Sequence, residues 1–319
     1  MERADHQRAT GAKRESSRTD PVYEPAGQPA CMDEETVGIG LVLTAAVGFG
    51  TLGVLGVLAA DAGLSIPSVL ALRFAIASIL LWTILWYRGR LQLLRGRTLA
   101  VALGLGAVGY AAQSGLYFLG LEFMTAGLVG IVLFTYPAFV VGFVLLTHPD
   151  RVTGTLLAAL GCSLGGVALI TGADPAGADP RGVLVVLGAA IVYSGYILVS
   201  QRTLASVDAE TLTAFVLPAA AASFVAFGLA TDTLAAPANA TAWGVAIAIA
   251  VVATAIPVLA FFAGLERIGA SRASIISAAE PAVTVALGAA VLGEPITVVT
   301  LLGGALVVGG VVLVQRERA

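Results

Sequence analysis

Charge is what this sequence has least of. Asp, Glu, Lys and Arg make up 12% of its 319 residues, about half the share of a soluble globular domain. The length would suit two soluble domains, but so few charges cannot give them water-facing surfaces. Lysine occurs once, at Lys13, and the formal net charge is −3, so no basic excess is present and no nucleic-acid partner is expected. The two cysteines, Cys31 and Cys162, lie far apart, one in a polar stretch and one in an apolar run. That placement argues against a disulfide framework or a Cys-rich metal site. The only histidines, His6 and His148, cannot by themselves build a zinc site. With no Walker A sequence, the chain is not expected to hydrolyse ATP, and no cofactor is implied.

What replaces charge is apolar surface. Hydrophobic residues make up 58% of the chain and the mean hydropathy is +0.94, so the solvent for most of the length is lipid. Residues 1–36 are the exception. They are polar, carry both charge signs and contain Pro21, Pro25 and Pro29, which predicts a disordered tail. The first apolar stretch starts near Thr36, too far in for a cleavable signal peptide and long enough to span.

A spanning helix needs about 20 mostly apolar residues. That ruler predicts ten spans, near 37–60, 67–87, 98–120, 125–147, 153–171, 182–200, 211–230, 242–263, 271–292 and 297–314. The breaks fall at charges and turn formers, among them Asp61 to Pro67, the Arg88 to Arg97 cluster, His148-Pro149-Asp150-Arg151, and Gly293-Glu294-Pro295. With the N-terminus inside, the inner segments hold the five basic residues of the tail and ten arginines. The outer loops hold only Arg181, and Arg73 is left within a span. This asymmetry predicts both termini on the cytoplasmic side of a plasma-membrane protein.

The chain also repeats itself. At an offset of 144 residues, Gly120-Leu121-Glu122 falls on Gly264-Leu265-Glu266, Pro137-Ala138 on Pro281-Ala282, and Gly165-Gly166-Val167 on Gly309-Gly310-Val311. The expected fold is therefore all-α: ten transmembrane helices in two five-helix repeats, 37–172 and 181–316. Five is odd, so the second copy enters the membrane from the opposite side. Two oppositely oriented copies of one pattern can exchange conformations, opening the protein first to one side and then to the other. Transport is the function this favours. A lipid-modifying membrane enzyme or a non-transporting scaffold are the alternatives.

The segment Gly264 to Ala273, then Glu280-Pro281, Leu292-Gly293-Glu294 and Gly303-Gly304-Ala305 closely resembles the EamA family of the drug/metabolite transporter superfamily, and Leu72-Arg73-Phe74 resembles its first repeat. The resemblance covers about residues 37–315. It implies a central cavity lined by spans 1–4 and 6–9, with spans 5 and 10 packed behind. It also implies export or exchange of small metabolites, such as amino acids or amphipathic compounds, without ATP hydrolysis. The expected partners are a small-molecule solute and membrane lipid, and protons as coupling ion and a homodimer are compatible with it. The first repeat departs at one point, with Tyr136-Pro137 where the second has Glu280-Pro281.

Ionisable groups within spans mark function by default. Arg73 lies six residues past Pro67, about 9 Å in from the outer side, and Glu280 nine past Ser271, about 14 Å in from the inner side. Across a core of roughly 30 Å the two could meet as an ion pair, or act as a substrate or proton site. Pro137 and Pro281 are expected to break their helices and turn carbonyls toward a cavity, or to make packing kinks. Tyr110 and Gln113 on span 3, Tyr136 on span 4, and Tyr193 with Tyr196 on span 6 could line that cavity. Tyr117, near the outer edge, is assigned to the interfacial aromatic belt. Glu122, Glu266 and Glu294 read as solvated caps or turn anchors. The two GxGxxG runs, at Gly48 to Gly53 and Gly104 to Gly109, and the GxxxG run Gly161 to Gly165 read as close helix packing. So do the repeat-related Gly165 and Gly309. Asn239-Ala240-Thr241 is a glycosylation sequon too close to the membrane for modification to be expected.

Overall fold

The computed structural model describes residues 34–147, 153–173 and 178–318. The polar tail and the His148 to Arg151 turn lie outside the described residues, apart from the last residues assigned to the tail, which already belong to the first helix. Among the described residues the chain is helical throughout, with no strand. Lipid requires this, because a backbone N–H or C=O left unpaired there costs several kcal/mol and a helix satisfies its own. The elements are α1 Glu34–Gly50, α2 Leu52–Asp61, α3 Ile66–Tyr87, α4 Gly96–Gly104, α5 Ala111–Gly120, α6 Ala126–Leu133, α7 Tyr136–Thr147 and α8 Gly154–Ala173. The second half comprises α9 Pro180–Thr203, α10 Ala209–Ala230, α11 Ala240–Ala250, α12 Ile256–Ser277, α13 Glu280–Leu292 and α14 Val298–Arg318.

Six continuous helical stretches are long and apolar enough to cross a membrane: 34–61, 66–87, 96–120, 180–203, 209–230 and 240–269. Four further apolar helices are shorter, at 126–140, 157–170, 280–292 and 298–313. Large apolar side chains such as Ile79, Leu184, Phe227, Leu229 and Leu301 stay exposed, as an outer face bathed in lipid requires.

Helix starts follow local chemistry. Ser65, Thr125, Asp179, Asp208 and Asn239 each stand at an N-cap and accept a hydrogen bond from a first-turn N–H, satisfying donors that the helix leaves open. Asn239, the sequon asparagine, is thus engaged as the cap of α11 through the amide of Ala242 at 2.9 Å. Gly269 interrupts α12 with φ +78°, a left-handed conformation glycine adopts without a Cβ clash. The limb 270–277 therefore turns away from the rest of α12.

The 144-residue offset is visible in the backbone. A π-helical turn at Leu105–Tyr110 joins α4 to α5, and another at Val251–Ala255 joins α11 to α12. The break at Phe134-Thr135 between α6 and α7 has its mate at Ala278-Ala279 between α12 and α13. Packing follows the same rule. α1 lies on α12, and the repeat-related pair α9 and α5 lie on each other. α3 packs on its mate α10, and α8 on its mate α14. Partners are exchanged between the copies, so neither half forms a core alone.

The α8–α14 contact corrects the sequence reading by one position. A Cβ on Gly161, Gly165 or Gly309 would meet nothing within 4 Å. The close approach runs through Gly166, Gly303 and Gly310 instead. A Cβ on Gly166 would fall 2.6 Å from the Gly303 carbonyl oxygen, and one on Gly310 2.6 Å from the Ala159 carbonyl oxygen. Adjacent helical residues point about 100° apart, so the composition of Gly165-Gly166 alone could not select the buried one. Leucine at Gly166 or Gly310 should cost about 1–3 kcal/mol or more through overpacking. Leucine at Gly165 or Gly309 should leave the thermal melting of the detergent-solubilised protein nearly unchanged.

Candidate functional site

The first π-turn carries Tyr110 into the bundle, where its ring lies 5.3 Å from Phe74 on α3 and 5.5 Å from Tyr196 on α9. From Tyr196 the rings continue to Tyr193 at 5.8 Å, to Tyr136 at 4.8 Å and to Phe134 at 5.8 Å. Four elements of both repeats thus share one aromatic chain, with centroid spacings in the favourable range for ring pairs. Tyr110, Tyr136, Tyr193 and Tyr196 are each partly buried, with Tyr110 closing the π-turn and Tyr136 opening α7. Gln113 is buried and accepts a hydrogen bond from the Ser114 hydroxyl at 3.2 Å. It lies on the same helix but makes none of these ring contacts.

The two charged groups, Arg73 and Glu280, both act electrostatically on Tyr117. Arg73 is buried on α3, and its Nε donates to Thr254 Oγ1 at 2.8 Å. Thr254 lies in the second π-turn and its hydroxyl donates in turn to the Ile249 carbonyl at 3.0 Å. The widened turn thus supplies the side chain that holds the guanidinium, and a carbonyl of α11 orients that side chain. Glu280 opens α13, directly before Pro281, and the hydroxyls of Tyr117, Tyr136 and Tyr193 lie within its electrostatic reach. Arg73 in turn acts on Tyr110 and Tyr117. No ion pair joins Arg73 to Glu280 among the described residues. The arginine is held by a hydroxyl.

Tyr117 corrects the belt assignment. It is 4% exposed, and a Cβ on Gly53 would stand 3.0 Å from its hydroxyl. The i, i+3, i+7 spacing of Tyr110, Gln113 and Tyr117 puts all three on one helix face. The height of Tyr117 in the span pointed to the belt instead. Thr254 carried no sequence signal, because a threonine in an apolar helix commonly bonds its own backbone.

Pro137 is the second residue of α7 and Pro281 the second of α13, positions where a missing N–H leaves no helical bond unmade. At the first break, the Tyr136 carbonyl accepts from the Ser194 hydroxyl at 2.8 Å. Of the three outlying glutamates, Glu122 is exposed. Glu266 pairs with Arg90 at 3.4 Å, and Arg90 also faces the buried Glu210 at 3.5 Å. Glu210 first, and then Glu266, raise the Arg90 guanidinium above its ordinary value. These side chains, with Asp208 and Phe262, line a charged pocket of about 200 Å³ at the α3–α4, α9–α10 and α12 ends. Glu294 is partly buried and is a cap, though of a distant helix. It caps α6 from another repeat, with Oε1 accepting from the Ala126 amide at 2.6 Å and Oε2 from the Gly127 amide at 3.0 Å.

Replacing Thr254 by valine keeps the shape and leaves the buried Arg73 Nε without its acceptor. The expected cost is about 1–3 kcal/mol, read as a lower melting temperature. Thr254→Ser, which restores the hydroxyl, should recover most of it.

Residues 36–172 and again residues 180–316 match the EamA-like transporter family. The chain is 30% identical over 212 residues to the uncharacterized transporter YcbK of Bacillus subtilis (strain 168), over 63% of this chain and 67% of that one. It is 25% identical over 255 residues to an uncharacterized transporter of Archaeoglobus fulgidus, covering 80% and 90% of the two chains. A protein solved by crystallography shares the fold, with a TM-score of 0.60 at 20% identity over 88% of this chain and 99% of that one. The two matched stretches take in both π-turns, both helix breaks and every residue of the aromatic chain, and the protein belongs to the EamA-like transporter family.

Proposed function

We propose that the protein is a secondary transporter that exports or exchanges small metabolites by alternating access. In this reading ten spans cross the plasma membrane as two inverted five-helix repeats, with both termini cytoplasmic. The shorter helices α6 and α7 form the fourth span, α8 the fifth, 270–277 with α13 the ninth, and α14 the tenth. The observation that carries the proposal is that the tyrosine chain and the Arg73–Thr254 hydrogen bond each join elements of the two repeats inside the bundle. A transporter of this architecture binds its solute near mid-depth, between the copies.

The separation of the two charges speaks to the solute. A guanidinium and a carboxylate that do not neutralise each other can each receive an opposite charge, and the tyrosine chain offers flat apolar walls. Zwitterionic metabolites such as amino acids, and small amphipathic ions, fit that arrangement. Glu280 is the acid within the spans that carries the proton in this reading, and its first-repeat counterpart is Tyr136.

Two measurements test the reading. Cysteine at the exposed Ala236, between α10 and α11, should react with an impermeant thiol reagent in intact cells. Cysteine at the exposed Gln92, between α3 and α4, should not. The reverse pattern would overturn the orientation.

In liposomes, protein with a solute found by thermal shift should show flux without chemical turnover, dependent on an imposed pH gradient. Glu280→Gln keeps the side-chain volume and removes the titration. It should abolish proton-driven flux while the protein still folds, and wild-type flux and pH dependence in this variant would refute the proton role.

A further inference from the structure

The fourth and ninth spans touch along only half of their length. α6 packs on α13, and glycines set the approach. A Cβ on Gly127 would fall 3.2 Å from Val285 Cγ2, and one on Gly130 3.1 Å from Thr284 Cγ2, while one on Gly288 would collide with the Glu294 carboxylate. Beyond the two breaks the partners change. α7 packs on α8, α9 and α14, whereas α13 packs on α1, α2, α6 and α14. The breaks at 134–135 and 278–279 are repeat mates, so the offset carries α6 onto 270–277 and α7 onto 280–291. The observed α6–α13 contact therefore has an exact counterpart in the exchanged arrangement, namely α7 against 270–277.

We infer that Glu294 is the latch that holds the α6–α13 end of the protein closed, and that α6 and α13 must part about the two breaks for that end to open. The inference rests on the transport reading above, in whose orientation this end faces outward. The geometry is that of a removable cap. The N-terminus of α6 presents free N–H groups and the positive end of its dipole. Thr125 takes the amide of Leu128 at 3.4 Å, and Glu294 takes those of Ala126 and Gly127. The carboxylate comes from the connection after α13, where Gly293 adopts φ +69° and turns the chain back. Glu294 thereby ties the start of one repeat's hinged segment to the end of the other's. Water can replace it at the amides once the helices separate, so the bond stabilises one state without blocking the other. A cap of this kind sets a conformational ratio by a factor of a few.

The test uses the full chain with Cys31 and Cys162 replaced by serine. Cysteines at Gly130 and Thr284 bring Cβ atoms within disulfide reach, since the built Cβ of Gly130 lies 3.3 Å from Thr284 Cβ. Mild oxidation should cross-link them rapidly with Glu294 present, and about fivefold more slowly in Glu294→Ala. Thr284→Cys alone, buried at 3% exposure, should react with an impermeant maleimide about fivefold faster in intact cells once Glu294 is alanine. Glu294→Gln retains the side-chain volume and one acceptor oxygen. It should give intermediate rates and covers the case in which the alanine variant does not fold. Unchanged cross-linking and labelling in folded variants would overturn the latch. Slower cross-linking with new labelling only in inside-out vesicles would sustain the latch and overturn the outward orientation, so the two failures are distinguishable.

Discussion

Backbone polar groups have no water to turn to inside a bilayer, and this protein is organised around the places where its helices nonetheless let go of them. At four of these places a specific partner is visible. The first π-turn leaves the Ala107 carbonyl to the Ser223 hydroxyl at 2.9 Å. The second leaves the Ile249 carbonyl to Thr254. At the start of α7 the Tyr136 carbonyl accepts from Ser194, and the open first-turn amides of α6 go to Glu294. Irregular backbone survives at membrane depth only when protein or cavity water satisfies it. These four sites are therefore also where function can be built.

The π-turns show how geometry and chemistry join. A π-turn adds a residue to the helical ring and re-aims the side chains that follow. In the first repeat that side chain is Tyr110, which joins the aromatic chain. At the equivalent position of the second repeat stands Thr254, which holds Arg73. One backbone device, duplicated with the sequence, thus serves stacking in one copy and charge placement in the other. The same divergence appears at the helix breaks, where Tyr136 and Glu280 are mates. Duplication conserved the backbone irregularities, and substitution at equivalent positions made a polar, asymmetric interior out of a symmetric frame.

Close approach is the second constraint. Without a hydrophobic drive between helices in lipid, association depends on packing and on small residues that let backbones meet. Gly166 with Gly303 does this between α8 and α14, and Gly127 with Gly130 does it against α13. Along α8 and α14 the contact continues over most of the length, as suits a fixed support. Along the fourth and ninth spans it stops at the breaks, as suits elements that move.

Much was legible in the sequence because lipid simplifies the code. Sparse charge and long apolar runs dictate helices, the arginine asymmetry points to an orientation, and the 144-residue offset reveals the repeat. Arg73 and Glu280 stand out by residue type alone, since a charge in a span is costly wherever it points. Rotation about each helix axis was not legible, because a helix apolar all round gives no moment to orient it. That is why the interfacial glycine was Gly166 rather than Gly165, why Tyr117 belongs to the interior, and why Thr254 went unnoticed. Partnership across the repeats was hidden for a related reason. Glu294 and the α6 amides lie 168 and 167 residues apart, and Arg73 and Thr254 lie 181 apart. The sequence by itself determined which groups would need a partner in lipid, and only the tertiary structure decided which partner each received, because hydrogen bonds are made at about 3 Å and no one-dimensional pattern brings two distant helices that close.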